Sequence, residues 1–221
     1  VSEPLEEGIF REIDEELRQE NFAKLWKRYG NIIVAGAVVL VVAVGGYQGW
    51  HAYDLNNRMK QGERYAAAAK MAQTGSIDTA LEELNALRVD GDSGYRLLSA
   101  FDTAGLLARK GDNAAAVAAF DSIADDGGYD TLYRDLARLL AATVLINSDS
   151  GDQSLLARLQ PLTDNNNPWR HSARELLAVI AEHGGDKKKS RELFKSLTED
   201  ATAPQGIRQR AGEMLAALGG K

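Results

Sequence analysis

The sequence predicts an all-α chain in which a single N-terminal transmembrane helix is followed by an α-solenoid of helical hairpins. Three observations carry this: one uncharged apolar run near the N-terminus, a glycine turn recurring every 34 to 40 residues, and apolar residues at fixed offsets from those turns. Composition agrees. The 221 residues are 44% hydrophobic and 26% charged with only four Pro, ordinary for a chain that buries a core. Cysteine is absent, which excludes disulfides and Cys-based zinc sites or nucleophiles. A net charge of −6 speaks against nucleic acid as the main partner, because phosphate binding needs a basic face.

Residues 1–30 read as a cytoplasmic amphipathic tail. Ile9, Phe10, Ile13 and Leu17 fall at helical spacing, and Phe22, Leu25, Trp26 and Tyr29 continue the pattern toward the apolar run. The acidic first half of this tail argues against anionic lipid as its target.

Residues 31–53 read as the anchor. Ile32 to Gly49 is uncharged, and only Gln48 in it is strongly polar. At a rise of about 1.5 Å per residue these positions span roughly 27 Å, close to a hydrocarbon core. Trp26 and Tyr29 precede the run, and Tyr47, Trp50 and Tyr53 mark its exit, as interfacial aromatics do. A buried core helix would explain the apolar run but not the aromatic ends or the adjacent Lys24, Lys27 and Arg28. A cleaved signal peptide would be shorter and nearer the N-terminus, so an uncleaved anchor is expected. Four Lys/Arg in residues 16–30 against three in 51–65 favour an N-terminus in the cytoplasm. Gly45 and Gly49 form a GxxxG pair, a candidate surface for packing against another membrane helix.

Residues 54–221 read as the repeat domain. Its turns are Thr74-Gly75-Ser76, Lys110-Gly111-Asp112, Ser150-Gly151-Asp152 and Gly184-Gly185-Asp186. Gly supplies the positive φ that ends one helix, and Ser or Asp is placed to cap the next. Around Gly75 stand Ala68, Met71, Ala80, Leu84 and Leu87. Ala104, Leu107, Ala116, Phe120 and Ile123 take the same offsets from Gly111, and Ala178, Ala181, Ser190, Phe194 and Leu197 from Gly185. A period near 34 with small residues at the helix crossings is that of a tetratricopeptide (TPR)-like array. The third unit is degenerate: Leu139 to Ile146 is a first helix, and Pro161 interrupts a second that starts at Ser154. Residues 205–218 read as a terminal capping helix.

No catalytic constellation stands out, and no cofactor, metal or small-molecule substrate is expected. His51, His171 and His183 lack metal-ligand spacing and read as solvated or structural. Such repeats instead offer a groove lined by the first helix of each pair. The TPR groove offsets fall on Tyr65, Phe101, Arg109, Arg138, Glu175 and Glu182. Lys and Asn, which grip a C-terminal carboxylate in some TPR domains, are replaced here by Tyr65, Ala69, Phe101 and Gly105. The groove is mixed aromatic and polar, which suits an extended or helical peptide.

Four segments resemble one family: Glu12-Ile13-Asp14-Glu15-Glu16-Leu17-Arg18, Leu25-Trp26-Lys27-Arg28-Tyr29-Gly30, the anchor's end Gly45-Gly46-Tyr47-Gln48-Gly49-Trp50, and Asn167-Pro168-Trp169-Arg170 with Ala173-Arg174-Glu175-Leu176-Leu177. Together they resemble the bacterial YfgM-like membrane proteins, especially alphaproteobacterial members, over nearly the whole chain. The resemblance implies a single-pass inner-membrane protein with a periplasmic TPR-like domain and no catalytic residues. It further implies a part ancillary to the Sec translocon, linking it to periplasmic chaperones or unfolded clients. The alternative expectation is an accessory or assembly subunit of another inner-membrane complex.

Overall fold

A computed structural model describes residues 3–147 and 153–219 of the chain, with side chains over 22–147 and 154–219. Among these residues are nine α-helices, one short 3-10 helix and no strand. The chain divides into two compact units, Val1–Met59 and Lys60–Lys221.

From Glu3 onward the first unit belongs to helix α1 (Glu3–Gln73). Pro4 is tolerated there because it occupies the first turn, where its missing N–H has no helical partner to lose. The side chains of Ile9, Phe10, Ile13 and Leu17 lie outside the described residues. Further on, α1 is long and apolar enough to cross a membrane, with a mean hydropathy of 2.1 over its most apolar window. Its side chains stand exposed among the described residues: Val39, Val42 and Trp50 are 67%, 68% and 73% exposed. Trp26 stacks on Phe22 with centroids 6.5 Å apart and covers Gly30.

The second unit is a succession of hairpins, each helix packed on the next. The end of α1 pairs with α2 (Ile77–Asp90) through Ala68, Ala72, Ala80 and Leu84, and α3 (Ser93–Lys110) pairs with α4 (Asn113–Asp125). Next, α5 (Thr131–Asn147) pairs with α6 (Gln153–Leu159), α7 (Arg170–His183) with α8 (Lys187–Glu199), and α9 (Gln205–Ala217) closes the end. Gly75, Gly111 and Gly185 turn the chain at φ of +91°, +89° and +79°, where a Cβ is strained. After each, the next N–H returns to a carbonyl one turn back: Ser76 to Met71, Asp112 to Leu107, Asp186 to Ala181. The turn expected at Ser150-Gly151-Asp152 lies outside the described residues.

Capping departs from expectation at one turn. Asp112 and Asp186 accept from the N–H groups of Ala115 and Lys189 at 3.1 and 3.0 Å, but the Ser76 side chain makes no cap bond. The three residues share nearly the same backbone angles. A carboxylate reaches the third N–H from there, and a hydroxyl, one bond shorter, does not.

The repeat offsets are the core positions. Ala68, Ala80, Ala104, Ala116, Ala178 and Ser190 are all 0% exposed, which lets the helices cross closely. Leu84, Phe120 and Phe194 fill the space beyond them. In the third hairpin Pro161 cannot continue the helix, and a 3-10 segment, Gln160–Thr163, follows α6. Leu155, Leu159 and Leu162 nevertheless stay buried at the spacing of Ala80, Leu84 and Leu87. The Asn-Pro-Trp segment then ties this hairpin back to α5: Asn167 donates to Asp135 at 2.8 Å, and the Trp169 indole donates to the Leu132 carbonyl at 2.9 Å. These ties, like Lys110 to Asp78 and Arg210 to Glu175, join residues about one repeat apart.

Candidate functional site

The first helices of the hairpins, the end of α1 and then α3, α5 and α7, carry the six residues assigned to the groove. Tyr65 sits where α1 meets α3. Its hydroxyl donates to Asp102 at 2.5 Å, and its ring tilts against Tyr95 at 5.9 Å. Burial first, then the bond to the Asp102 carboxylate, pushes Tyr65 up to about 12. Gly62 leaves room for this approach of α3: a Cβ there would lie 2.7 Å from the Tyr95 oxygen, and the ring would have to shift. The residue before Gly62, the buried Gln61, accepts from the Asp92 N–H at 2.9 Å, and Asp92 caps α3.

Arg109 lines a cleft of about 270 Å³ between the end of α1 and α3. Small residues, Ala69, Ala72 and Gly105, form its floor, and Gln73, Asp102 and Arg109 supply the polar groups. Tyr65 joins this cleft through Asp102. An apolar floor with an exposed guanidinium and a carboxylate already fixed by a hydroxyl can seat a peptide side chain and pair one acidic group.

The remaining four residues do not line that cleft. Phe101 is half-buried and turns toward α4, its ring 6.2 Å from Phe120. Arg138 donates to Asp135 at 2.6 Å and to the Ala124 carbonyl at 3.3 Å, which lies at the open C-terminal end of α4. Glu175 accepts both Nε and Nη2 of Arg210, at 2.7 and 2.9 Å, from the closing helix. Glu182 is half-buried in the last turns of α7. The register therefore places all six on first helices, and one cleft gathers Arg109 with Tyr65's partner. Asp102 is the member the sequence did not disclose. It stands directly after Phe101, and only its pairing with a tyrosine 37 positions earlier distinguishes it.

His171 is buried at 4% exposure between α7 and the segment before α9, with Nδ1 3.6 Å from Asp200 and Nε2 3.4 Å from the Thr202 hydroxyl. Burial, then the charge of Arg170, holds it below the usual histidine range. Among the described residues no group of three or more His, Cys, Asp or Glu is placed to hold a metal. In the anchor, a Cβ added at Gly45 or Gly49 would meet nothing within 4 Å, so both lie on open helix surface.

The family described as tetratricopeptide repeat-like domain matches residues 23–214. The match begins before the apolar run and ends within α9, so it takes in the apolar helix together with the hairpins. No curated protein and no solved structure matches the chain.

Proposed function

The chain belongs to the tetratricopeptide repeat-like family, and from that membership we propose that it is a membrane-anchored scaffold for protein–protein interaction. Such repeat domains are generally non-catalytic scaffolds. The observation that carries the reading is a single family match running through an exposed apolar helix and an array of hairpins. In this reading α1 spans a bacterial inner membrane once. The Lys24, Lys27 and Arg28 cluster stays in the cytoplasm, and the hairpins lie in the periplasm. The scaffold is ancillary to the Sec translocon and links it to periplasmic chaperones or unfolded clients, as the YfgM-like resemblance implies. The cleft of Arg109 and Asp102, with Tyr65 held against Asp102, takes the client or chaperone.

A second reading has support of its own. Gly45 and Gly49 share an open face of α1, which lets another membrane helix approach closely. The chain is then an accessory or assembly subunit of a different inner-membrane complex. Crosslinking in intact cells separates the two. Gly45→Leu with Gly49→Leu should lose the membrane partner and keep the soluble one, and combined changes at Tyr65, Phe101 and Arg109 should do the reverse. Copurified translocon subunits support the first reading, and another complex in their place supports the second. If the groove variant loses the membrane partner while the anchor variant keeps it, docking runs through the hairpins and the bridging scheme fails.

A further inference from the structure

A larger cleft, of about 430 Å³, opens between α2 and α4 with α3 behind it. Arg88 of α2 and Arg96 of α3 stand on its walls, both exposed. Arg64, Arg138, Arg158 and Arg210 close on a carboxylate within the fold, and Arg134, Arg170 and Arg191 on a carbonyl. Among the described residues Arg88 and Arg96 have no such partner. Two unpaired guanidinium groups in one concavity are notable in a chain of net charge −6, where carboxylates outnumber cations. Low-dielectric walls around them focus a local positive field.

Behind the arginines the floor is mostly apolar, Ala100, Leu107 and Ile123, with the buried Thr103 hydroxyl among them. The far rim carries Asp126, whose Oδ1 accepts the Gly128 N–H at 2.8 Å. A bare phosphate would gain from the arginines but meets this carboxylate and leaves the floor unfilled. A polypeptide suits all three features, because it offers carboxylates to the arginines, an aliphatic side chain to the floor and backbone N–H groups to Asp126.

We propose that the α2–α4 cleft is a docking site for an acidic, leucine-containing segment of a partner protein. Carboxylates of the segment close on Arg88 and Arg96, and an aliphatic side chain seats against Leu107 and Ile123. This site is separate from the Arg109 cleft, so it gives the chain a second protein partner that does not compete for the first surface.

The test uses the full chain in neutral detergent micelles and fluorescence anisotropy of a labelled peptide of repeating Glu-Glu-Leu. The parent should bind it, and raised salt should weaken the complex. Arg88→Gln with Arg96→Gln, both exposed positions, should leave the helical signal intact and lower affinity about tenfold or more, through the loss of two charge-assisted contacts. Ser122→Trp fills the cleft while keeping both charges and should weaken binding as well. A Gln-Gln-Leu peptide should bind the parent no better than the double variant binds the acidic one. Lys188→Gln, which removes an exposed cation that lines neither cleft, should bind like the parent. The proposal is overturned by failure of the parent to bind, by a double variant equal to the parent, or by indifference to Ser122→Trp. Displacement of the peptide by millimolar inorganic phosphate makes this a phosphate site and overturns it too.

Discussion

Replacing Phe120 and Phe101 by alanine, singly and together, tests which face of α3 belongs to the core. Phe120 is 4% exposed and closes a cluster with Ala104, Ile123, Ala137 and Ala141, so its removal leaves a cavity lined by side chains on three helices. Such a change costs about 3–5 kcal/mol. For a unit of this length, that is a fall in Tm of about 6–20 °C, at roughly 2–4 °C per kcal/mol. Phe101 is partly exposed, so its truncation removes less apolar contact and should cost less, about 2 kcal/mol. The two rings sit 6.2 Å apart at 54°, so the double variant should be less destabilised than the sum of the singles, by about 0.5–1.5 kcal/mol. Thermal and urea unfolding of the full chain in detergent, followed by circular dichroism, reads all three quantities. Losses at the two positions that agree within about 0.5 kcal/mol would make Phe101 a core residue and refute its assignment to the groove.

Gly111→Val should destabilise the repeat unit by on the order of 1–2 kcal/mol. A Cβ there meets nothing within 4 Å, so the cost is backbone strain at φ +89° and not a clash; an unchanged melting temperature contradicts the turn. A reporter active only in the periplasm, fused after Lys221, should be active, and activity from an N-terminal fusion alone inverts the topology. His171 is held below its unfolded pKa, so the unfolded chain binds its proton first, and stability falls as pH drops through about 6.5 toward the folded value. His171→Gln should flatten that fall between pH about 7.5 and 5.5, and an identical pH dependence in both proteins would show that His171 does not carry it.

The sequence disclosed the regular hairpins because each is specified twice, by a glycine at positive φ and by small residues at the crossings. Ala68, Ala104 and Ala178 occupy one offset, and all are fully buried. The third hairpin lacks that agreement. Counting from Gly151 with the same offsets leads to Leu156 and Gln160, and both are exposed. The buried residues are Leu155, Leu159 and Leu162, one position earlier. The site was harder to read, for a different reason. Helix register says which face a side chain leaves from, but not whether a partner within the fold has already claimed it. Arg138 and Glu175 stand at groove offsets, yet the first answers Asp135 and the carbonyl at the end of α4, and the second answers Arg210. Asp135 lies one turn away on the same helix, where register puts it, but the Ala124 carbonyl and Arg210 come from elements that register alone does not bring near.

Helix α3 is the element the two clefts share, and its periodicity explains how. Asp102, Gly105 and Arg109 face the cleft beside α1, whereas Arg96, Ala100, Thr103 and Leu107 face the cleft between α2 and α4. At 3.6 residues per turn, a step of two residues rotates the side chain by about 200°. Asp102 against Ala100, and Gly105 against Thr103, are therefore on opposite faces of one helix. The same two-residue step keeps the surfaces from sharing any α3 side chain, so occupying one removes nothing from the other. The ends of α3 are held independently of both clefts, by Gln61 and Asp92 at the start and by the Gly111 turn at the finish. A helix fixed at its ends and open on two faces is a means of holding two partners a helix diameter apart, which is what the proposed scaffold has to do.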